Sequence, residues 1–236
     1  MNDGSGAPRQ RWQIRFSRTE PALRMRQADI SAEWERVFRE ANLPLSYSAA
    51  QKPKPRIRLA ANPPAGIELR GEIVEAYFDE LVPLERIEAA GALLADGLAV
   101  DEAREVWHGF PSAASQLRGA EYELEVKGDA DLTEEALRGA IVRLLASPTL
   151  PGMRHRGESE RRSDAGRRDL RPLIEDVEVI SVNERAHTAQ LRLVLKLDAT
   201  GAGRPEDVVS ALDVPLRVTK AVRSRLLFVD TPPIAR

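Results

Sequence analysis

The chain contains no cysteine, which removes disulfides, thiolate zinc sites, iron–sulfur clusters and cysteine nucleophiles together. A reducing compartment fits that absence. Its three histidines, His108, His155 and His187, stand far apart and without ligand spacing, so no metal site is expected of them. No GxSxG, P-loop or HExxH motif occurs. No apolar run approaches the ~20 residues that span a bilayer, and the opening MNDGSGAPRQ has no signal-peptide core. The expectation is a cytoplasmic protein with no membrane partner. Aromatic residues make up only 5% of the chain; most fall on faces expected to be core, and the paired sheet aromatics of RNA recognition modules are missing. Charge is also lacking as a global signal: the net formal charge is −2 over 236 residues. Any affinity for nucleic acid must come from local clustering. No cofactor is expected, and no residue stands out as catalytic.

What the chain does have is one basic stretch punctuated by proline, YSAAQKPKPRIRLAANPPAG at 47–66. Pro53, Pro55, Pro63 and Pro64 alternate with Lys52, Lys54, Arg56 and Arg58, and no acidic residue lies between Glu40 and Glu68. Proline fixes φ and biases the preceding residue to extended backbone, so KPKP is expected to be a stiff, stretched arm. RIRLA then alternates as a half-buried edge strand. A rigid basic edge suits a phosphate backbone, and Tyr47 beside it is the one aromatic placed either to stack on a base or simply to pack. Arginines crowd three further places. The first holds Arg9, Arg11, Arg15, Arg18, Arg24 and Arg26; the second lies between Arg154 and Arg171; the third, Arg217 to Arg225, falls in a tract without acids from Val214 to Val229. The expected polyanion contacts are Tyr47, Lys52, Lys54, Arg56 and Arg58, helped by Arg24 and Arg26.

Taken in order, residues 1–9 are small and polar and are expected to be disordered. RWQIRF is a strand with Trp12, Ile14 and Phe16 on one face. Asp29 is the expected N-cap of a helix to about Ala41, with Ile30, Trp34, Val37 and Phe38 as its buried stripe. RIRLA and a strand from Arg70 to Asp79 follow, then a helix opened by Pro83 and stopped at Gly97, then a strand LAVDEAREVW. HGFPSAASQLRG (108–119) reads as a linker. The second half begins with the strand AEYELEVKG, whose Glu121, Glu123 and Glu125 share a face. Asp131 and Glu134 resemble a capping box for the next helix. A polar loop from Ser147 to Arg168 precedes two strands turning at Asn183–Glu184, a helix from Pro205 to Leu212 and a last strand. The order is β-α-β-β-α-β twice, the ferredoxin-like split motif. The expected fold is therefore α+β, with two tandem ferredoxin-like units and antiparallel sheets. Its units are 10–107 and 120–229, with a tail at 230–236.

The proline-rich stretch, followed by GEIVEAYFDE, resembles the signature of the bacterial radical-SAM-linked proteins, which are encoded beside or fused to cobalamin-binding-type radical SAM proteins. Tyr47, Ser48, Pro53, Pro55, Ile57, Ala60, Pro63 and Gly66 match the family's pattern, as do the helix after Ala28, the DLRPLI segment from Asp169 and the helix GRPEDVVSALDV. Two places depart from it. Ala49, Ala50 and Gln51 stand where relatives carry Gln-Gly-Phe, and Gln27 and Ala28 stand where they carry Ser-His before the helix aspartate. The resemblance implies an accessory protein that works with a radical SAM enzyme, with RNA as the shared substrate; lacking cysteine, this chain leaves the cluster chemistry to that partner. The reading is a non-catalytic RNA-binding or positioning module. The alternatives are an RNA-processing enzyme using Tyr47 or His155 as base, and a purely protein-binding subunit.

Overall fold

In the computed structural model, residues 8–151, 169–198 and 201–229 are described. The fold is mixed α+β, and the chain divides into two compact units: Met1–Leu117 with Phe228–Arg236, and Arg118–Leu227.

In the first unit the order is β1 (Gln10–Arg18), α1 (Gln27–Glu40), β2 (Ile57–Leu59), β3 (Glu68–Phe78), α2 (Leu84–Gly91), β4 (Leu98–Glu105) and the single turn α3 (Ala113–Gln116). β1 lies between β4 and β3, β2 pairs with the other side of β3, and all these pairings are antiparallel. Period-two alternation places Trp12, Ile14 and Phe16 of β1 and Val74, Ala76 and Phe78 of β3 on one face. Ile30, Trp34, Val37 and Phe38 of α1 close over them. Trp34 packs 5.7 Å from Phe16 and 5.4 Å from Phe38, ring centre to ring centre, and Phe38 meets Phe78 edge-on at 5.4 Å.

α1 begins two residues before the expected cap. Asp29 accepts the backbone N–H of Arg26 at 2.8 Å, so it caps from the third position inside the helix, the acidic half of a capping box. The stretch expected to be a linker, 108–119, holds α3 and the start of the next strand.

The second unit runs β5 (Leu117–Gly128), α4 (Glu134–Ala146), β6 (Ile174–Asn183), β7 (Thr188–Asp198), the short β8 (Gly201–Ala202), α5 (Pro205–Ser210) and β9 (Leu216–Phe228). The strand order is β9-β5-β7-β6, with β8 on β7. Ala120, Tyr122, Leu124 and Val126 point into the core, where they share burial with Leu137, Ile141 and Leu144 of α4. α4 is capped not by Asp131 but by Thr133, whose hydroxyl accepts from Ala136 N–H at 3.2 Å. The expectations for residues 1–7, for most of the loop after Ser147 (His155 included) and for the tail at 230–236 lie outside the described residues.

Candidate polyanion-binding surface

Between α1 and β2 the chain does not run out as a stretched arm; it doubles back. Tyr47 and Pro55 form a β-bridge. Ser48 N–H donates to the Lys54 carbonyl at 2.9 Å, Lys54 N–H donates to Ser48 Oγ at 3.0 Å, and Arg56 N–H reaches the Ser46 carbonyl at 2.8 Å. Prolines 53 and 55 have no N–H to give, so the closure uses the donors of the basic residues between and after them. The result is a proline-braced loop with Lys52 and Lys54 exposed on it and Arg58 exposed on β2, while Arg56 is half-buried. Among the described residues, none of these four cations has a carboxylate partner, a direct consequence of the acid-free stretch around them.

Tyr47 is occupied. Its hydroxyl donates to Glu35 Oε1 on α1 at 3.0 Å. Burial, then the Glu35 carboxylate, pushes the phenol above its ordinary range. It is therefore a donor at neutral pH and a poor base, and its ring packs against the core of the first unit.

Arg26 belongs to a second patch, and Arg24 is exposed at the end of the short turn that precedes it. Arg26, Gln27, Ala28 and Ser31 from the first turn of α1 face Asn62, Pro63, Pro64 and Ala65 across a groove of about 620 Å³. Buried Arg18 ties its walls together, donating to the carbonyls of Met25 at 2.6 Å, Ile67 at 2.8 Å and Pro64. Gly66, at φ +83°, makes the turn out of the prolines and hydrogen-bonds to the Leu23 carbonyl at 2.9 Å. Gln27 and Glu35 are eight residues apart, roughly 12 Å along the helix, so the groove and the Tyr47 anchor sit at separate levels of α1. The expected site residues thus fall into two patches rather than one. The two departures from the resembled family divide in the same way, Gln27 and Ala28 lining the groove and Ala49 to Gln51 lying in the loop.

A family model described as an uncharacterised protein conserved in bacteria (DUF2344) matches residues 11–205. The chain belongs to that bacterial family. The match takes in the proline-braced loop, the groove and the first-unit sheet from Arg11 onward. No curated protein matches this DUF2344 chain. Among solved structures it resembles a chain of a Cbf5-Nop10-Gar1 complex at 12% identity and TM-score 0.50, covering 91% of this chain and 48% of that one. A chain of the archaeal box H/ACA sRNP Nop10-Cbf5 complex is similar at 11% identity and TM-score 0.45, with 91% and 47% covered. The DUF2344 chain spans about half the length of these solved chains, and at such identities the likeness speaks for fold alone.

Several other arginines of the DUF2344 chain, among the described residues, are spent internally. Arg11 is buried in a salt bridge to Glu75, and its guanidinium also donates to the Phe110 and Pro111 carbonyls at 2.7 and 3.1 Å. Glu75 further accepts from Gln13 at 2.8 Å and from Ala113 N–H at 3.0 Å. Arg15 pairs with Glu102 at 2.8 Å, Arg225 with Glu121 at 3.0 Å, and Arg223 is buried. Arg171 donates to the Leu145 and Ile174 carbonyls at 3.1 and 2.8 Å. In the sequence all of these fall within the basic clusters. Sequence reasoning passed over Trp107, whose side chain is 74% exposed; the signal was an aromatic in a Gly/Pro-punctuated stretch, WHGFP, with no periodic partner to pack on. Among the described residues no group of three or more potential metal ligands occurs, and no helix is long and apolar enough to cross a membrane.

Proposed function

We propose that this chain is an RNA-binding accessory module, acting in the cytoplasm, that holds its ligand for a partner enzyme rather than transforming it. One observation carries the reading: Lys52, Lys54 and Arg58 are exposed on a braced loop and its edge strand with no carboxylate partner among the described residues. Cations held this way are available to phosphates, and each neutralised phosphate adds a salt-dependent increment to affinity. The groove beside Arg26 is a second place for the same ligand to engage. The strand order of each unit, with the fourth strand beside the first and the second at the far edge, supports reading both as ferredoxin-like. The resemblance to radical-SAM-linked proteins supports a radical SAM enzyme as the partner.

Titrating a labelled RNA at several salt concentrations tests this. Affinity should fall as salt rises, and a Lys52→Glu, Lys54→Glu double variant should bind at least tenfold more weakly. The magnitude of its salt slope should shrink by about 0.7 for each single-strand phosphate that the variant no longer neutralises. Unchanged affinity and slope in the double variant would take the loop out of the reading.

A further inference from the structure

Antiparallel register sets Arg58 opposite Glu75, and Tyr77 N–H bonds to the Arg56 carbonyl at 3.1 Å. Since cross-strand partners and alternate residues share a face, Arg56 and Arg58 lie on the side of the first unit's sheet away from α1 and α2, together with Glu75 and Tyr77. The Tyr77 ring is held between two neighbours: the Arg11 guanidinium at 5.7 Å from its centre and the His108 ring at 6.2 Å, tilted by 39°. His108 is exposed. Beside it the Trp107 indole folds back over Gly109, so closely that a Cβ on that glycine would stand 2.2 Å from the ring. Glycine there lets the indole lie against the backbone. Of the carboxylates near this face, Glu75 is buried and paired with Arg11, and Glu102, exposed on β4, is paired with Arg15.

We infer that this face is a stacking platform for single-stranded RNA, with phosphates on Arg56 and Arg58 and an unpaired base against Trp107. The inference rests on the polyanion reading and narrows it to one ligand class. A basic track combined with an exposed ring is how single strands are held without sequence readout, because every base offers a π-face. A duplex keeps its bases stacked inside and has nothing to lay on the indole. A protein partner is the other use of an exposed tryptophan, but Arg56 and Arg58, with no carboxylate partner among the described residues, favour an anionic ligand.

Tryptophan fluorescence reports on the platform directly, because Trp12 and Trp34 are buried and Trp107 is the exposed indole. A short single-stranded oligoadenylate should quench that emission and bind more tightly than an RNA duplex of equal length. Trp107→Ala should lose roughly 5- to 150-fold in single-strand affinity, the range for one stacked base, with duplex affinity and thermal unfolding as in wild type. Trp107→Phe should recover most of the loss. Wild-type single-strand affinity in W107A, or binding without any change in tryptophan emission, overturns the platform while leaving the basic loop standing. Failure of single strand, duplex and heparin alike to bind overturns the polyanion reading and the platform with it.

Discussion

Glu75 is the carboxylate on which the inner layer of the first unit turns. It is 1% exposed and joins β3 to β1 through Arg11 and Gln13, and to α3 through Ala113 N–H. A buried ion pair is weak support when compared with a packed apolar pair, yet removing one partner strands the other charge in the interior. Glu75→Ala should therefore cost about 3–5 kcal/mol, seen in urea unfolding as a lower midpoint at unchanged slope. Glu75→Gln keeps an acceptor for Gln13 and Ala113 and should lose less. Arg11 and Arg18 show the same logic in reverse. Arg11 alternates with Trp12 and Ile14 on β1 as a solvent-facing arginine would, and Arg18 stands at the strand's end, but each is buried with its guanidinium on backbone carbonyls. Nothing local in the sequence distinguishes Arg11 from Arg15, which stays exposed.

The elements themselves were largely legible, because burial imposes a period on them. The Ile30–Trp34–Val37–Phe38 stripe and the Trp12–Ile14–Phe16 alternation mark α1 and β1 within two residues of their ends. The stretches between elements were not legible. Proline at 53 and 55 fixes local φ but says nothing of Ser48, whose Oγ and N–H turn the chain back on itself. The Gly/Pro/Ser composition of 108–119 reads as a linker, but its polar backbone is satisfied by Arg11 and Glu75, far away in sequence. In the second unit, Asp169 does comparable work between α4 and β6. It bridges to Pro151 and accepts the N–H groups of Leu150 at 2.7 Å and Arg171 at 3.0 Å. Those two donors, Leu150 first, hold its carboxyl below the ordinary aspartate range. A folded pKa lower than the unfolded one stabilises above the unfolded value, and the gain disappears as pH falls through the folded value. Thermal unfolding of wild type and Asp169→Ala should therefore differ by a constant margin above about pH 5, a margin that starts to shrink at about pH 4 and closes only once the pH is below the folded value. A gap that widens in acid would show that the two backbone donors are not what Asp169 contributes.

For the whole molecule, charge is a matter of placement rather than amount. A net formal charge of −2 offers polyanions no long-range attraction, and among the described residues many arginines are engaged by carboxylates or backbone carbonyls. The acid-free loop and edge keep three exposed cations, Lys52, Lys54 and Arg58, close together in sequence, and their field is felt within about a Debye length, near 8 Å at physiological ionic strength. Binding should accordingly follow the position of a charge change and not its size. Lys127 and Arg185 are exposed cations of the second unit, and exchanging both for glutamate lowers the formal charge by the same four units as Lys52→Glu with Lys54→Glu. The two double variants should elute alike on anion exchange, yet the 127/185 pair should bind single-stranded RNA within about twofold of wild type while the 52/54 pair weakens at least tenfold. Equal losses in both would mean that the molecule responds to its total charge, and the loop between Tyr47 and Pro55 would then hold no privileged place on it.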